Sequence, residues 1–105
     1  MKYYVYVIEL DTEVSRIKNF MKANLNYVSN YKCYYVGQTT RNPLLRFEQH
    51  KEGYKSNKYA KKYGLRLQPI LYKKYNPIPS RSEAEKIEKY LGELLRSKGY
   101  GVWYN

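Results

Sequence analysis

The order of apolar and polar positions along the chain predicts a small sheet with helices between its strands. Lys2–Leu10 (KYYVYVIEL) is aromatic and β-branched almost throughout, which predicts a largely buried strand. Lys32–Gln38 predicts a second strand that ends at Gly37, and Gln68–Tyr75 (QPILYKKY) predicts a third. Tyr100–Asn105 indicates a short terminal strand or an extended tail. The pattern therefore predicts an α/β domain whose sheet has three main strands.

Helical periodicity and helix-end signals fall between these strands. Residues 11–23 carry apolar side chains at three-to-four spacing behind a capping aspartate or threonine, which predicts a short amphipathic helix. Residues 43–52 begin with proline after an asparagine cap and stop at Gly53, so a second helix is expected there. Residues 56–63 predict a short third helix. Residues 80–98 open with the capping box Ser-Arg-Ser-Glu and predict a long last helix.

A strong positive charge makes nucleic acid the expected partner. The chain of 105 residues carries 20 Lys and Arg against 9 Asp and Glu, which gives a formal charge of +11. Its 15 tyrosines supply rings that stack on bases and hydroxyls that bond phosphate oxygens. The alternative is a merely soluble basic surface with the tyrosines in the core. The side chains expected to bind nucleic acid are Lys51, Lys55, Lys58, Lys61, Lys62 and Arg66.

Other bulk properties narrow the class of protein further. At this length one domain over residues 1–105 is expected. The single cysteine, Cys33, excludes an internal disulfide and a multi-cysteine zinc cluster, and its place in a strand favours a buried small side chain over a reactive thiol. The apolar stretch Val5–Leu10 is too short to span a membrane, and no signal-peptide pattern is present. The expected setting is intracellular, in the cytoplasm or with the nucleoid or nucleus, without secretion and without a membrane partner.

Glu88 is the unusual residue of the last predicted helix. The apolar residues of that helix, among them Ala84, Leu91 and Leu95, form one stripe at helical spacing. At about 100° per residue, Glu88 falls about 70° from the centre of the stripe. A carboxylate at the edge of a core-facing stripe needs a salt bridge, a hydrogen bond or a cation. The alternative is an ordinary surface glutamate that reaches past a leucine into solvent.

Arg46 and His50 share one face of the helix predicted over residues 43–52, because they are spaced i,i+4. Arginine suits a phosphate since its planar guanidinium donates two hydrogen bonds and keeps its charge. Histidine can take or pass a proton near neutral pH. Basic residues on helix surfaces are common, so this pair alone is equally consistent with a solvated face.

Taken together, these residues resemble the GIY-YIG endonuclease superfamily over essentially the whole chain. The first family motif matches Tyr4-Val5-Tyr6, and the second matches Tyr35-Val36-Gly37. The remaining matches, in family order, are Arg46 and His50 on one helix, Glu88 after the pattern that begins at Glu83-Ala84, and Asn105 near the C-terminal end. The chain departs from the family pattern by an insertion of about residues 11–30, which separates the two motif tyrosines.

The resemblance implies a mostly antiparallel three-stranded sheet flanked by helices. It also implies a metal-dependent DNA endonuclease that hydrolyses phosphodiester bonds. A bare domain of this kind is expected to be structure-selective or nicking, or to form a homodimer that cuts both strands. The alternative is a non-catalytic nucleic-acid-binding module with the same fold, which predicts salt-sensitive binding without cutting.

The resemblance also implies roles for individual side chains. The implied catalytic residues are Tyr6, Tyr35, Arg46, His50, Glu88 and Asn105. Glu88 would hold one Mg²⁺ or Mn²⁺ ion, and Arg46 would stabilise the charge of the transition state. Tyr6 or Tyr35 would activate the attacking water, and the sequence leaves open which of the two does so. His50 would either accept a proton or orient that tyrosine.

Overall fold

Four strands form one mixed sheet at the centre of the fold. The structure is a computed structural model that describes residues 1–105. The strands are β1 (Tyr4–Leu10), β2 (Cys33–Thr39), β3 (Gly64–Leu67) and β4 (Gly101–Tyr104). Their order is β3-β1-β2-β4; β1 pairs antiparallel with β2 and β3, whereas β4 pairs parallel with β2. The first residue of β2, Cys33, is fully buried, which confirms its interpretation as a small core side chain.

The prediction of a three-stranded sheet was wrong by one strand. Two of the three pairings are antiparallel, as expected, but the chain end adds β4 as a parallel edge strand. A parallel pairing needs a long crossover connection, and nothing in the local pattern of Tyr100–Asn105 distinguishes it from an extended tail. The long connection here includes the helices between β2 and β4.

The helices lie close to their predicted positions, with one exception. They are α1 (Lys18–Lys22), α2 (Pro43–Glu52), α3 (Lys58–Tyr63) and α4 (Arg81–Ser97), with 3₁₀ turns at Thr12–Arg16, Pro69–Leu71 and Lys73–Tyr75. The bounds of α2 match the prediction, because Asn42 caps its start and Gly53 ends it at φ +91°. The single helix expected over residues 11–23 is instead broken at Ile17, whose backbone is extended (φ −87°, ψ 122°). None of the helices has the length and apolar character that crossing a membrane requires.

The prediction of a third strand over Gln68–Tyr75 was also wrong. Pro69 has no N–H to donate to a ladder, and the segment folds into the two 3₁₀ turns. The shorter segment before it, β3, pairs with the end of β1 instead. Further along the same edge the amide of Asn76 makes both hydrogen bonds to the backbone of Val5, at 2.9 and 2.8 Å. The edge of β1 is therefore satisfied by pieces of this segment rather than by one continuous strand.

The two faces of the sheet carry different partners. Tyr6 pairs with Gly37, and Tyr35 shares their face because side chains alternate along a strand. This face, here called the tyrosine face, is covered by α1, α2 and α3, and its aromatic centre is Phe20, Tyr59 and Trp103. The opposite face, here called the α4 face, packs against α4 along β1, β2 and β4.

The segment between β1 and β2 is part of the core. Val14 and Phe20 from this segment are fully buried. Asn24 is buried as well, and its side-chain oxygen accepts from the Val102 N–H of β4 at 2.7 Å and from Arg96 Nε of α4 at 3.2 Å. Residues 11–30 are thus tied to the far end of the chain.

Candidate active site

The best-defined contact of the site joins Tyr6 to His50. His50 of α2 is buried, and its Nε2 lies 2.7 Å from the Tyr6 hydroxyl oxygen. The backbone N–H of Asn57 donates to His50 Nδ1 at 3.1 Å. A backbone N–H can only donate, so Nδ1 is the acceptor and Nε2 carries the ring proton. His50 therefore donates to the oxygen of Tyr6.

His50 is neutral in this environment. Burial, followed by the nearby positive charge of Arg46, lowers the pKa of His50 to about 4. Because its only acceptor nitrogen already faces the Asn57 N–H, the ring has no free site for a proton. Of the two roles considered for this histidine, orientation of a tyrosine agrees with the geometry better than proton acceptance does.

Gly37 provides the space that Tyr6 occupies. A Cβ atom placed on Gly37 would lie 2.5 Å from the Tyr6 hydroxyl oxygen and 2.6 Å from its Cζ. It would also lie 3.0 Å from the ring of Tyr35. The glycine of the second motif thus has a packing reason: it lets the two tyrosines of the motifs approach each other, with ring centroids 6.1 Å apart.

Tyr35 has access to open space, unlike Tyr6. It lines a cavity of about 470 Å³ together with Arg46, His50 and Asn57, whereas Tyr6 is not among the lining residues. Its hydroxyl oxygen accepts a hydrogen bond of 3.0 Å from the side-chain amide of Asn105. Tyr35 is therefore the motif tyrosine that a molecule in the cavity would meet.

Both tyrosines are held in the protonated form. Burial is the main reason that the pKa of Tyr6 is raised well above its ordinary value and that the pKa of Tyr35 is raised as well. For Tyr35, the Asn105 amide and the Arg46 charge act in the opposite direction, while the carboxylate of Glu88 adds to the increase. Neutralising the charge at Glu88 would therefore favour the Tyr35 phenolate.

Glu88 is a buried carboxylate without a side-chain partner. It lies on α4 and is only 5% exposed, which rules out the surface glutamate considered from the sequence. No side chain forms an ion pair or hydrogen bond with it, and the favourable group nearby is the backbone N–H of Asn105. Burial, followed by the like charge of Glu85, raises the pKa of Glu88 to about 7. Such a carboxylate is poised to take up a cation or a proton.

Asn105 joins the two parts of the site across the sheet edge. Tyr35 is on the tyrosine face, whereas Glu88 is on the α4 face. They approach each other because β4 ends at Tyr104, opposite Val36, and leaves the next residue of β2 uncovered. Asn105 follows immediately, lines the cavity of Tyr35 and also lines a second cavity of about 420 Å³ that contains Glu88.

Arg46 supports the loop beside the site as well as lining the cavity. Its guanidinium donates to the carbonyl oxygens of Tyr54 and Lys55 at 3.1 and 2.7 Å. Lys55 has a left-handed backbone (φ +44°), which is unfavourable for a residue with a side chain and needs such support. The same loop presents the Asn57 N–H to His50. Arg46 forms no ion pair with a carboxylate, so its charge remains available to an anion in the cavity.

The basic residues predicted to bind nucleic acid are all exposed, but only two of the six lie beside the candidate site. Lys55 and Lys58 line the cavity of Tyr35. Lys51 instead donates to two backbone carbonyls at 2.9 Å each, and Arg66 is paired with Glu9 at 2.9 Å. The two lysines in the last turn of α3 line none of the cavities of the site. Lys55 and Lys58 are therefore the predicted cations that lie closest to a ligand in this cavity.

Two contributors were missed by the sequence reasoning. Asn57 fixes the tautomer of His50 through its backbone, which no side-chain pattern reveals, although an asparagine before Lys58 is a recognisable helix cap. Trp103 lines the cavity of Tyr35 and pairs in register with it. Its role depends on the parallel strand β4, which the pattern left undecided.

A single divalent ion fits the donor set at Glu88. No group of three or more His, Cys, Asp or Glu side chains is arranged to hold a metal. A closed structural site is thus not present. Mg²⁺ is commonly held by one or two carboxylates plus water and phosphate oxygens, and a buried carboxylate without a side-chain partner, beside a cavity, meets that description.

Comparison with known proteins gives one positive result. The family model of the GIY-YIG catalytic domain matches residues 2–101, which is nearly the whole chain. No curated protein and no solved structure matches the chain. The match includes every candidate residue except Asn105.

Proposed function

The chain belongs to the GIY-YIG family, whose catalytic domains are typically endonucleases, and from this premise we propose that it is a metal-dependent DNA endonuclease. The observation that carries the proposal is that Asn105 bonds Tyr35 and also lines the cavity of Glu88. A tyrosine hydroxyl and a carboxylate able to hold a cation, in two cavities that share Asn105, suit hydrolysis of a phosphodiester. A structural ion pair or a simple stacking surface would explain neither a buried carboxylate without a side-chain partner nor the positive cavity.

Tyr35 is proposed to accept the proton of the attacking water as a phenolate, which forms when its own proton is lost to solvent. Its oxygen faces the cavity and already accepts from Asn105, and both the Asn105 amide and the Arg46 charge favour the phenolate. A positioned proton acceptor contributes about 10²–10⁴-fold to rate. Tyr6 lies behind it and receives the His50 proton donor, so these two residues are proposed to hold Tyr35 in place.

Arg46 is the proposed stabiliser of negative charge on the non-bridging phosphate oxygens. Its guanidinium is fixed in direction by two backbone carbonyls before substrate arrives. A group that is already oriented needs no rearrangement during the reaction, and loss of such a donor typically costs about 10²–10³-fold in rate.

Glu88 is the proposed ligand of one Mg²⁺ or Mn²⁺ ion. When bound, the ion would polarise the scissile phosphate and offset the charge on the leaving 3′ oxygen. Glu88 would contribute its ionised carboxylate, Asn105 would remain between it and Tyr35, and burial would keep bulk water from that side of the cleft.

DNA is the proposed substrate, cut either as a nicked or branched structure by one copy or as duplex by a homodimer. One site of this kind cuts one strand, so double-strand cleavage would require two copies. The cations beside the site suit phosphate contacts, which position a strand without reading its sequence.

The decisive experiment compares Glu88→Gln with Glu48→Gln on labelled branched and linear DNAs, with and without Mg²⁺. Glu48 is exposed on α2 and lines none of the cavities of the site, so its variant removes one carboxylate charge away from Glu88 and is a matched control. We expect wild type and Glu48→Gln to cut only with the ion, and Glu88→Gln to lose cutting by at least about 10²-fold while binding DNA. Equal cutting by both variants would rule out the proposed role of Glu88. Salt-sensitive binding by all three proteins without any cutting would instead identify the non-catalytic module.

A further inference from the structure

Three cavities lie next to one another in the site, and together they are here called the groove. The central cavity, which contains Tyr35, shares Asn105 with the cavity of Glu88 on one side. On the other side it shares Arg46 and Lys55 with a third cavity of about 200 Å³ at the end of β2. The third cavity is therefore the direct neighbour of the central one on the side away from Glu88.

The third cavity is rich in positive charge and contains no carboxylate among its lining residues. Three cations line it, Arg41, Arg46 and Lys55, together with the hydroxyls of Thr39, Thr40 and Tyr54. Planar guanidinium groups and hydroxyl donors are the usual partners of phosphate oxygens. Because no acid offsets these charges locally, the cavity suits a dianionic or polyanionic ligand.

Arg41 is the arginine in this cavity whose guanidinium is not engaged. Its exposed guanidinium takes part in no ion pair or hydrogen bond, whereas that of Arg46 is bonded to the backbone of the neighbouring loop. The backbone N–H of Arg41 donates to the Thr39 hydroxyl at 3.0 Å, which fixes the turn that carries the side chain. The backbone of the turn is thus fixed, while the guanidinium of Arg41 is free to bind an anion.

We propose that this cavity is a subsite for a backbone phosphate that flanks the scissile one, with Arg41 as its principal ligand. The identity of the bound strand rests on the proposed function, but the subsite itself rests only on the cavity. At about 3.3 Å per residue, Thr39 lies roughly 13 Å along β2 from Tyr35, so the phosphate held there is not the one under attack. The subsite places the strand across the cleft and reads no base.

The first test measures DNA binding without metal, so that it does not depend on cutting. Arg41→Gln should lower the slope of log affinity against log salt by about 0.7–0.9, the contribution of one phosphate, and weaken binding several-fold. Arg16→Gln removes the same charge from an exposed arginine that lines no cavity of the groove and pairs with Glu13, and it should leave the slope unchanged. An unchanged slope for Arg41→Gln, or an equal loss in both variants, would overturn the subsite.

The second test locates the phosphate. A series of oligonucleotides, each with one phosphate replaced by a neutral methylphosphonate, should show a position at which wild type loses affinity and Arg41→Gln loses nothing more. Thr40→Asp, which places a carboxylate in the same cavity, should reproduce the loss if the Arg41 variant is poorly folded. Identical profiles for wild type and both variants would refute the proposal. If no DNA is cut but the position exists, the subsite stands and the endonuclease proposal fails.

Discussion

On the tyrosine face, the polar groups beside the site have partners before any ligand arrives: His50 bonds Tyr6, the Asn57 backbone bonds His50, and Asn105 bonds Tyr35. Across the sheet edge, Glu88 is also buried but has no side-chain partner. The first half is preorganised by the fold itself. The second half is left at a free-energy cost that a bound cation or a proton can offset, which is typical of functional rather than structural carboxylates.

The largest expected effect comes from breaking the preorganised half at Tyr35, the tyrosine that lines the cavity. Tyr35→Phe should reduce the rate of cutting by about 10²–10⁴-fold, because the proposed proton acceptor is lost. Tyr6→Phe should have a smaller effect on rate but should reduce stability by about 1–3 kcal/mol, since it leaves the buried His50 N–H without an acceptor. Single-turnover kinetics and urea unfolding of both variants separate the two effects. A larger loss of rate in Tyr6→Phe than in Tyr35→Phe would show that Tyr6, rather than Tyr35, is the proton acceptor.

Gly37→Ala tests whether the same half depends on close packing. The added methyl group would overlap the Tyr6 ring, and we expect a loss of about 1–3 kcal/mol in the free energy of unfolding. In a Tyr6→Leu background the ring is absent, so the cost of Gly37→Ala should shrink. A double-mutant cycle by urea unfolding measures this coupling. An equal cost in both backgrounds would show that the two residues act independently.

The dependence of stability on pH compares the two halves directly. His50 has its pKa lowered from 6.5 to about 4, so the unfolded chain binds more protons between these values and stability falls as the pH falls through that window. Glu88 has its pKa raised from 4.5 to about 7, so the folded chain binds more protons there and stability falls as the pH rises. The two slopes oppose each other between pH 4.5 and 6.5.

Glu88→Gln should therefore reveal the pH dependence of stability that His50 causes. In this variant we expect the free energy of unfolding to rise by about 1–2 kcal/mol between pH 4.5 and 6.5, whereas wild type should change much less. His50→Gln should show the opposite slope. Urea unfolding at several pH values provides the measurement, and parallel curves for wild type and Glu88→Gln would contradict the assigned environment of Glu88.

The smallest effect is expected at a tyrosine of the same face that takes no part in the hydrogen bonds. Tyr59 is 2% exposed, and its buried hydroxyl has no partner. Tyr59→Phe should leave cutting unchanged and should be neutral or stabilising by less than about 1 kcal/mol, because the unpaired hydroxyl is removed while the ring is kept. Thermal unfolding and a cleavage assay test this. A clear loss of stability or of cutting would mean that the hydrogen-bond partners of the hydroxyls do not explain which tyrosines are needed.

The parts of the fold set by local chemistry were predictable from sequence. The bounds of α2 follow from its asparagine cap, its first proline and Gly53, and the buried first strand follows from its β-branched and aromatic residues. The parts set by distant pairing were not. Gln68–Tyr75 has the composition of a strand, but the edge of β1 is already taken by β3 and Asn76. The parallel position of β4 depends on a partner far away in the chain.

The same division holds for the site. The motif positions and the helical stripe singled out Tyr35, Arg46 and Glu88 as candidates, because residue type and spacing are visible in the sequence. The burial of His50, its tautomer and the resulting direction of its hydrogen bond depend on a backbone group seven positions later. Contacts of that kind arise only when a loop closes over a helix, and no periodicity encodes them.

The side chains around Val102 affect whether another chain can pair with the edge strand β4. An edge strand usually offers unpaired backbone groups that invite another chain to extend the sheet and begin aggregation. Here the outward N–H of Val102 is bonded to Asn24, and its carbonyl accepts from Arg96 at 2.8 Å. A further strand could pair with this edge at Val102 only by displacing the side chains of Asn24 and Arg96. Self-association by extension of the sheet would therefore have to use another part of it.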